Sequence, residues 1–371
     1  MPSASQKLLT MLLLLLTSLL VTKGATFRAM TFNIWESGKN VHEGLRKIVK
    51  HIRHVNPDVV ALQEVESELI LSVITLLLGP QWNGYCKEYI LYPDACIISQ
   101  HPIYKDSVGT TSKAVGLKIR FPLPVPHATG ENEKYLNISV WSAHLDWQNY
   151  GPYAACDKMV TDPSQIQAGE RNLGGKLDGR MQNMREILSN PDFQRAWQNS
   201  KAEPMLAMGD FNAPSHLDWI PEARHLHCNW SFPWPATKDL MDHFHFLDSY
   251  RAIHPNPRAV PGNTWSPAYR FKKGWGYTIP EPMDRIDFIF YHGASIQPTH
   301  SQVYHGKKPV NAEPDHWNND WPSDHSAVIT DFTVERIGKD RTGKERVEKV
   351  EQNATWERIK RLLSFTPTKN Q

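Results

Sequence analysis

Several things are scarce in this 371-residue chain, and each scarcity excludes something. Net charge is nearly absent, at +2, so no strong global field draws the molecule to nucleic acid or an acidic membrane. No apolar run after residue 21 is long enough to cross a bilayer, which takes roughly 20 apolar residues. There is no internal repeat and no long low-complexity tract, which argues against solenoids and disordered chains. Cysteine is limited to Cys86, Cys96, Cys156 and Cys228, too few for a disulfide scaffold to replace a core.

What is present fits an ordinary globular chain exported from the cell. About 40% of residues are hydrophobic and 22% charged, enough for one large domain. Lys7 precedes an apolar run from Leu8 to Val21, and Thr22-Lys23-Gly24 offers small residues at a cleavage site. Residues 1–24 therefore read as a signal peptide, with an uncleaved anchor as the alternative. Asn137-Ile138-Ser139, Asn229-Trp230-Ser231 and Asn353-Ala354-Thr355 are glycosylation acceptor sequences. An even cysteine count in a secreted chain points to two disulfides. The expected pairing is a local Cys86–Cys96 staple and a long Cys156–Cys228 link; free buried thiols are the alternative.

Along the chain, short runs rich in β-branched and aromatic residues alternate with helical patterns. Strands are expected at Phe27–Ile34, Val59–Gln63, Ala95–Ser99, Val115–Ile119, Leu136–Ala143, Met205–Met208, Ile286–Tyr291 and Ser326–Phe332. Helices are expected at Val41–Val55, Glu66–Leu78, Asp178–Asn190 and Pro191–Asn199. Phe121–Lys134 reads as a proline-bearing hairpin loop, and His216–Gly276 as long loops. One domain over 25–336, mixed α/β with sheets packed face to face, is the simplest account. Residues 337–371 are highly charged and read as a tail or peripheral helix.

Polar residues sit at the ends of these strands. Asn33, Glu64, His144, Asp210 and Asn212 fall at or just beyond C-terminal ends, while Asp287, Asp324 and His325 fall at N-terminal ends. If the last two strands run antiparallel to the others, all these groups meet at one edge. Carboxylate and amide oxygens are hard ligands that suit Mg²⁺, with Ca²⁺ or Mn²⁺ possible. Such an ion binds phosphate oxygens and stabilises charge developing in phosphoryl transfer, and neighbouring histidines act as acid or base. Each element alone is weak: Asp324-His325 and Gly209-Asp210-Phe211-Asn212 are ordinary turn sequences, and Asp287 would serve equally as an ion-pair partner of Arg285 or Lys273. Their joint occurrence at strand ends carries the inference.

Met30-Thr31-Phe32-Asn33-Ile34-Trp35, Leu62-Gln63-Glu64-Val65, Ser142-Ala143-His144-Leu145, Gly209-Asp210-Phe211-Asn212, Asp284-Arg285-Ile286-Asp287-Phe288-Ile289 and Ser323-Asp324-His325 resemble, in order, the motif series of the endonuclease/exonuclease/phosphatase superfamily, the deoxyribonuclease I-like fold. The resemblance spans about residues 27–332 and implies a four-layered α/β sandwich, two mixed β-sheets packed face to face and flanked by helices. It implies Glu64 as the main metal ligand with Asn33 nearby and Asp324 as a further ligand or structural partner. Asp210 would orient or deprotonate water, Asn212 bind phosphate, and His325, oriented by Asp287, contact phosphate or act as base. His144 would serve the leaving group; no carboxylate that orients it is identifiable in the sequence.

The superfamily takes many phosphoesters, and fold does not choose among them. A nuclease-type substrate is favoured by Tyr269–Tyr277, where Arg270, Lys272, Lys273 and Trp275 are positioned to hold phosphates and stack bases; snorkelling cations on a surface hairpin are the alternative. A secreted sphingomyelinase-like phospholipid diesterase is the second candidate, with Trp230, Phe232 and Trp234 as a membrane-inserting loop. A catalytically silent binding protein on the same fold is a third. His225/His227 and His243/His245 lack the spacing of a structural zinc site. No protein partner is expected.

Overall fold

Alternation along β1 (Ala25–Asn33) sets the layering. Phe27 and Ala29 pack into a core between two sheets, while Met30 and Phe32 pack into a separate core on the opposite face. A strand buried on both sides belongs to a central layer. The structure is a computed structural model that describes residues 25–87, 92–123, 134–172 and 179–334. The expected signal peptide, the charged tail and most of the 121–134 loop lie outside these residues.

In chain order β1 is followed by α1 (Gly44–Val55), β2 (Val59–Val65), α2 (Glu68–Leu78), β3 (Asn83–Cys86), β4 (Asp94–Ser99), β5 (Ile103–Thr110), β6 (Ala114–Pro122) and β7 (Tyr135–His144). Then come α3 (Gly151–Cys156), α4 (Pro163–Glu170), α5 (Arg180–Ser189), α6 (Pro191–Gln198), β8 (Met205–Asp210), α7 (Pro235–Phe244), β9 (Leu247–Asp248), α8 (Ser249–Ile253), β10 (Asp287–His292), β11 (Ile296–Tyr304) and β12 (Ala327–Val334). Two six-stranded sheets form, ordered β11-β12-β1-β2-β4-β3 and β5-β6-β7-β8-β10-β9. Both are mixed: β1 is parallel to β2 and antiparallel to β12, while β7 is parallel to β8 and β10 antiparallel to it.

Three apolar clusters separate the layers. Val59, Ala61, Val140, Leu206, Met208, Ile289 and Val328 fill the space between the sheets. Ile48 and Ile52 of α1, with Leu71 and Ile74 of α2, cover the first sheet. Ile187 of α5, Phe193 of α6 and Leu240 of α7 cover the second. The result is the four-layered α/β sandwich that the sequence led us to expect. Both disulfides also pair as expected, Cys86–Cys96 and Cys156–Cys228.

The differences have local causes. α1 starts at Gly44, not Val41, because Glu43 is left-handed (φ 53°). α2 starts at Glu68, where Ser67 Oγ accepts the Ile70 N–H at 3.3 Å and caps the first turn. Residues 216–276 are not simply loops, since they contain α7 and α8. Trp230, Phe232 and Trp234 do not form an exposed apolar loop. Phe232 and Trp234 are buried with Trp219 in the outer core, and Trp230 packs partly buried against them. Of the acceptor asparagines, Asn229 is exposed, Asn137 donates to Glu203 Oε1 at 2.8 Å, and Asn353 lies outside the described residues.

Candidate active site

The inner faces of the sheets change character at one end. Along β8, Leu206 and Met208 point between the sheets, and the same two-residue period brings Asp210 to the same side. In β10 the series is Tyr291, Ile289, Asp287; in β7 it is Ile138, Val140, Ser142, His144. Register then aligns the ends. His144 lies opposite Asp210 in the parallel pair, and Asp210 opposite Asp287 in the antiparallel one. Gly209 makes this approach feasible: its φ is +145°, and a Cβ there would lie 1.9 Å from the Ala143 carbonyl oxygen.

The first sheet contributes across the gap. Asn33, at the end of β1, donates through Nδ2 to Glu64 Oε1 at 3.2 Å and to Asp210 Oδ2 at 3.1 Å, linking the two sheets. Glu64 Oε2 accepts the Glu36 N–H at 2.7 Å. That donor sits in a turn whose residues Trp35, Glu36 and Ser37 all have positive φ. Ser323 Oγ donates to the Asn33 carbonyl at 2.6 Å and accepts the His325 N–H at 3.0 Å, fixing Asp324-His325 against β1.

Two imidazoles flank one carboxylate oxygen. His325 Nε2 is 3.6 Å and His144 Nε2 is 3.5 Å from Asp210 Oδ2. Each ring is backed by a further carboxylate through Nδ1: Asp287 Oδ2 at 3.0 Å for His325, and Asp94 Oδ1 at 2.7 Å for His144. Asp94 is the residue that sequence reading did not find. It opens β4 at a register irregularity against β2, with φ 65°. Its only signal was a carboxylate just ahead of an expected strand. Asp287 is free for His325 because Arg285 turns elsewhere, to Asp218 at 3.0 Å and Asp248 at 2.6 Å.

The electrostatics follow from burial set against these partners. Burial opposes charge on His144, yet Asp94, with Asp210 and Glu64 behind it, outweighs burial and raises the pKa to about 9. Burial likewise opposes charge on His325, and Asp287 and Asp210 raise it well above the ordinary histidine value. Asp210 is pushed up to about 6 by burial, against the pull of His325. Burial lifts Asp324 well above the usual carboxylate range, with Glu64 adding repulsion and His325 opposing.

Asp324 Oδ1 and Asp287 Oδ1 are buried without a hydrogen-bond partner, which calls for an explanation. Ligand atoms of Asp210, Asp287 and His325 lie within 4.8 Å of one another. The hydrogen bond from His325 to Asp287, with Asp210 at 3.6 Å from the other ring nitrogen, already accounts for that convergence. The Glu64–Asp324 side, with repelling carboxylates, an orphaned oxygen and the Asn33 amide, fits a hard divalent cation better.

The remaining expected residues fall as follows. Asn212 donates its N–H to Asp210 Oδ1 at 2.8 Å and its Nδ2 to the Leu145 carbonyl at 3.0 Å. Lys272 is ion-paired with Asp157, and Lys273 with Glu313 at 2.6 Å. Arg270 and Trp275 are exposed. His227 stacks on Trp219 at 4.8 Å as a core residue.

Residues 30–325 match the Endonuclease/Exonuclease/phosphatase family. This chain belongs to that family. Family members are phosphoester hydrolases and generally use divalent metals. An uncharacterized protein of Caenorhabditis elegans is 44% identical over 306 residues, covering 82% of this chain and 91% of its own length. Among solved structures, the catalytic domain of human Nocturnin with bound sulfate is similar at 14% identity and a TM-score of 0.47, over 83% of this chain and 94% of that one. Truncated Caenorhabditis elegans TDP2 aligns at 15% identity and 0.47, over 83% and 98%. An AP endonuclease from Archaeoglobus fulgidus aligns at 15% and 0.45, over 82% and 98%.

Proposed function

We propose that this member of the family is a secreted, divalent-metal-dependent phosphodiesterase in which water attacks phosphorus. The observation that carries this is the pair of carboxylate-backed histidines on either side of Asp210. Glu64 and Asp324, with Asn33 beside them, would hold Mg²⁺; Ca²⁺ and Mn²⁺ suit the same donors. When bound, the ion neutralises charge on the phosphoryl oxygens. Asp210, ionised above about pH 6, accepts the proton of the attacking water. Protonated His325, held by Asp287, contacts the phosphoryl oxygens. Protonated His144, held by Asp94, gives its proton to the leaving oxygen as the P–O bond breaks. Asn212 steadies the Asp210 turn. Two disulfides support the secretion reading, since they persist in oxidising compartments.

The substrate reading changes. Two of the three cations expected to track a polynucleotide, Lys272 and Lys273, are occupied by Asp157 and Glu313. That leaves Arg270 with the exposed Trp275, so support for a long polyanion shrinks while support for a phosphodiester does not. Phe232 and Trp234 of the loop expected to insert into a membrane are buried and Trp230 is partly buried, so the loop lends the sphingomyelinase-like reading nothing.

The test is turnover of DNA, RNA, sphingomyelin and bis(4-nitrophenyl) phosphate with Mg²⁺, Ca²⁺ or Mn²⁺. We expect hydrolysis that disappears in chelator and falls at least roughly 10²-fold in Asp210→Ala. Folded protein inert on every diester with every ion would put the catalytically silent binding protein in its place.

A further inference from the structure

A cleft of about 860 Å³ opens beside Asp324 and, that residue aside, is lined by side chains to which the mechanism above gives no part. The segment from α3 to α4 forms one wall and residues 265–281 the other. The lining is aromatic: Tyr150, Tyr153, Trp265, Tyr269 and Trp275. Tyr150 and Tyr153 meet edge to face at 82°, and Trp265 lies 5.4 Å from Tyr269.

Charge within the cleft is unbalanced. Lys273 is turned to Glu313, outside the lining. Lys272 bonds Asp157, and its ammonium also acts on Glu281. Among the described residues of the lining one cation therefore serves two carboxylates, which leaves an excess negative charge in an aromatic-walled space when Glu281, whose pKa burial raises, is ionised. Glu281 Oε1 is fixed there by Trp265 Nε1 at 2.8 Å and by the Tyr153 hydroxyl. An ammonium already rests on one of these rings, because Lys272 Nζ lies 4.0 Å from the Tyr153 centroid.

Trp265 connects this charge to the reaction centre. Its ring lies 4.9 Å from that of His325, while its Nε1 meets Glu281. His325 and the Glu281 carboxylate are thus separated by about one indole.

We propose that the cleft is the subsite for the organic cation of a zwitterionic phosphodiester, an ester of phosphate with a methylated alkylammonium alcohol. The aromatic walls attract such a head through cation–π contact, and the Glu281 carboxylate completes its charge. A two-carbon linker between phosphate and ammonium suits a separation of one indole. A second phosphate of a polyanion meets the same excess negative charge as repulsion. This rests on the phosphodiesterase reading for the phosphate half only.

The test has two arms on the intact protein with Mg²⁺. Choline chloride is titrated while tryptophan fluorescence is followed, and kcat/KM is compared for 4-nitrophenylphosphorylcholine and bis(4-nitrophenyl) phosphate. Glu281→Gln keeps the acceptor for Trp265 and Tyr153 but removes the charge. We expect saturable quenching by choline that weakens roughly tenfold in Glu281→Gln, with the ratio of the two kcat/KM values falling by a similar factor. No quenching by choline, with a ratio unmoved by the substitution, overturns the proposal. So does equal quenching by neutral adenosine, insensitive to Glu281→Gln, which would make the cleft a stacking site. Choline binding that depends on Glu281, in a protein that hydrolyses neither ester, would overturn the phosphodiesterase reading and leave the cation subsite standing.

Discussion

His144 and Asp94 show how one buried pair shapes a pH profile. Asp94, together with Asp210 and Glu64, outweighs burial and lifts His144 to about 9, while burial lifts Asp210 to about 6. In the proposed mechanism Asp210 must be ionised and His144 protonated, so kcat/KM should rise through the lower value and fall through the upper one. Asp94→Asn removes the partner that keeps the proton on His144. We expect the alkaline limb to move below 9 and kcat to drop roughly 10²-fold. A pH–rate profile in which only the acid limb moves would contradict the assignment. The same pair has a stability signature. The pKa of His144 is raised on folding, so its contribution is complete below about 6.5 and lost as pH rises through about 9. Much at this scale was legible in advance, because a carboxylate or amide at the end of a two-residue apolar period stands out. Asp94 was not, since it sits where β4 leaves regular pairing with β2. Nor do sequences reveal whether a cation is free. Lys272 and Arg270 look alike until Asp157 is brought against one of them.

Among the elements, α3 and α4 form a wall that sequence reading missed. They are short, and α3 follows a turn rather than an amphipathic run. They are held from outside themselves. Arg180 of α5, with no exposed side-chain surface, pairs with Glu170 of α4 at 2.6 Å and donates to the carbonyls of Asp146, Gln148 and Asn149. Cys156, the last residue of α3, is tied to Cys228 across a separation of 72 residues. Chain entropy assigns a link of that span roughly 4 kcal/mol. Replacing both cysteines by serine should lower the urea midpoint accordingly. It should raise KM more than it lowers kcat, because the wall borders the cleft and not the histidines. Equal losses in both constants would place α3 in the reaction itself. The α7 helix escaped notice for a different reason. Its surroundings are dense in proline, tryptophan and histidine, which read as loop until Trp219 and Trp234 are seen packed inside.

For the molecule as a whole, buried acids without a counter-charge oppose folding, and an ion that binds only the native state offsets that. At a concentration 100 times its Kd, Mg²⁺ should add about 2.7 kcal/mol to stability. Chelation should reverse the shift, and Glu64→Gln should abolish most of it. A urea midpoint indifferent to Mg²⁺ in the native sequence would remove Glu64 and Asp324 from the ligand set. The sandwich architecture itself was readable because alternating faces, strand ends and helix spacing agreed with one another.

Asp210 and Asp287 owe their position to parity. Slipping β10 by one residue against β8 would turn Asp287 out among the helices and bring Phe288 into the reaction centre. Such a chain would keep its helices, its strands and most of its buried area, and would look native in circular dichroism. It would be inert. Turnover by the proposed mechanism would therefore be a proofreading signal for strand alignment, reporting an error of one residue that bulk spectroscopy passes over.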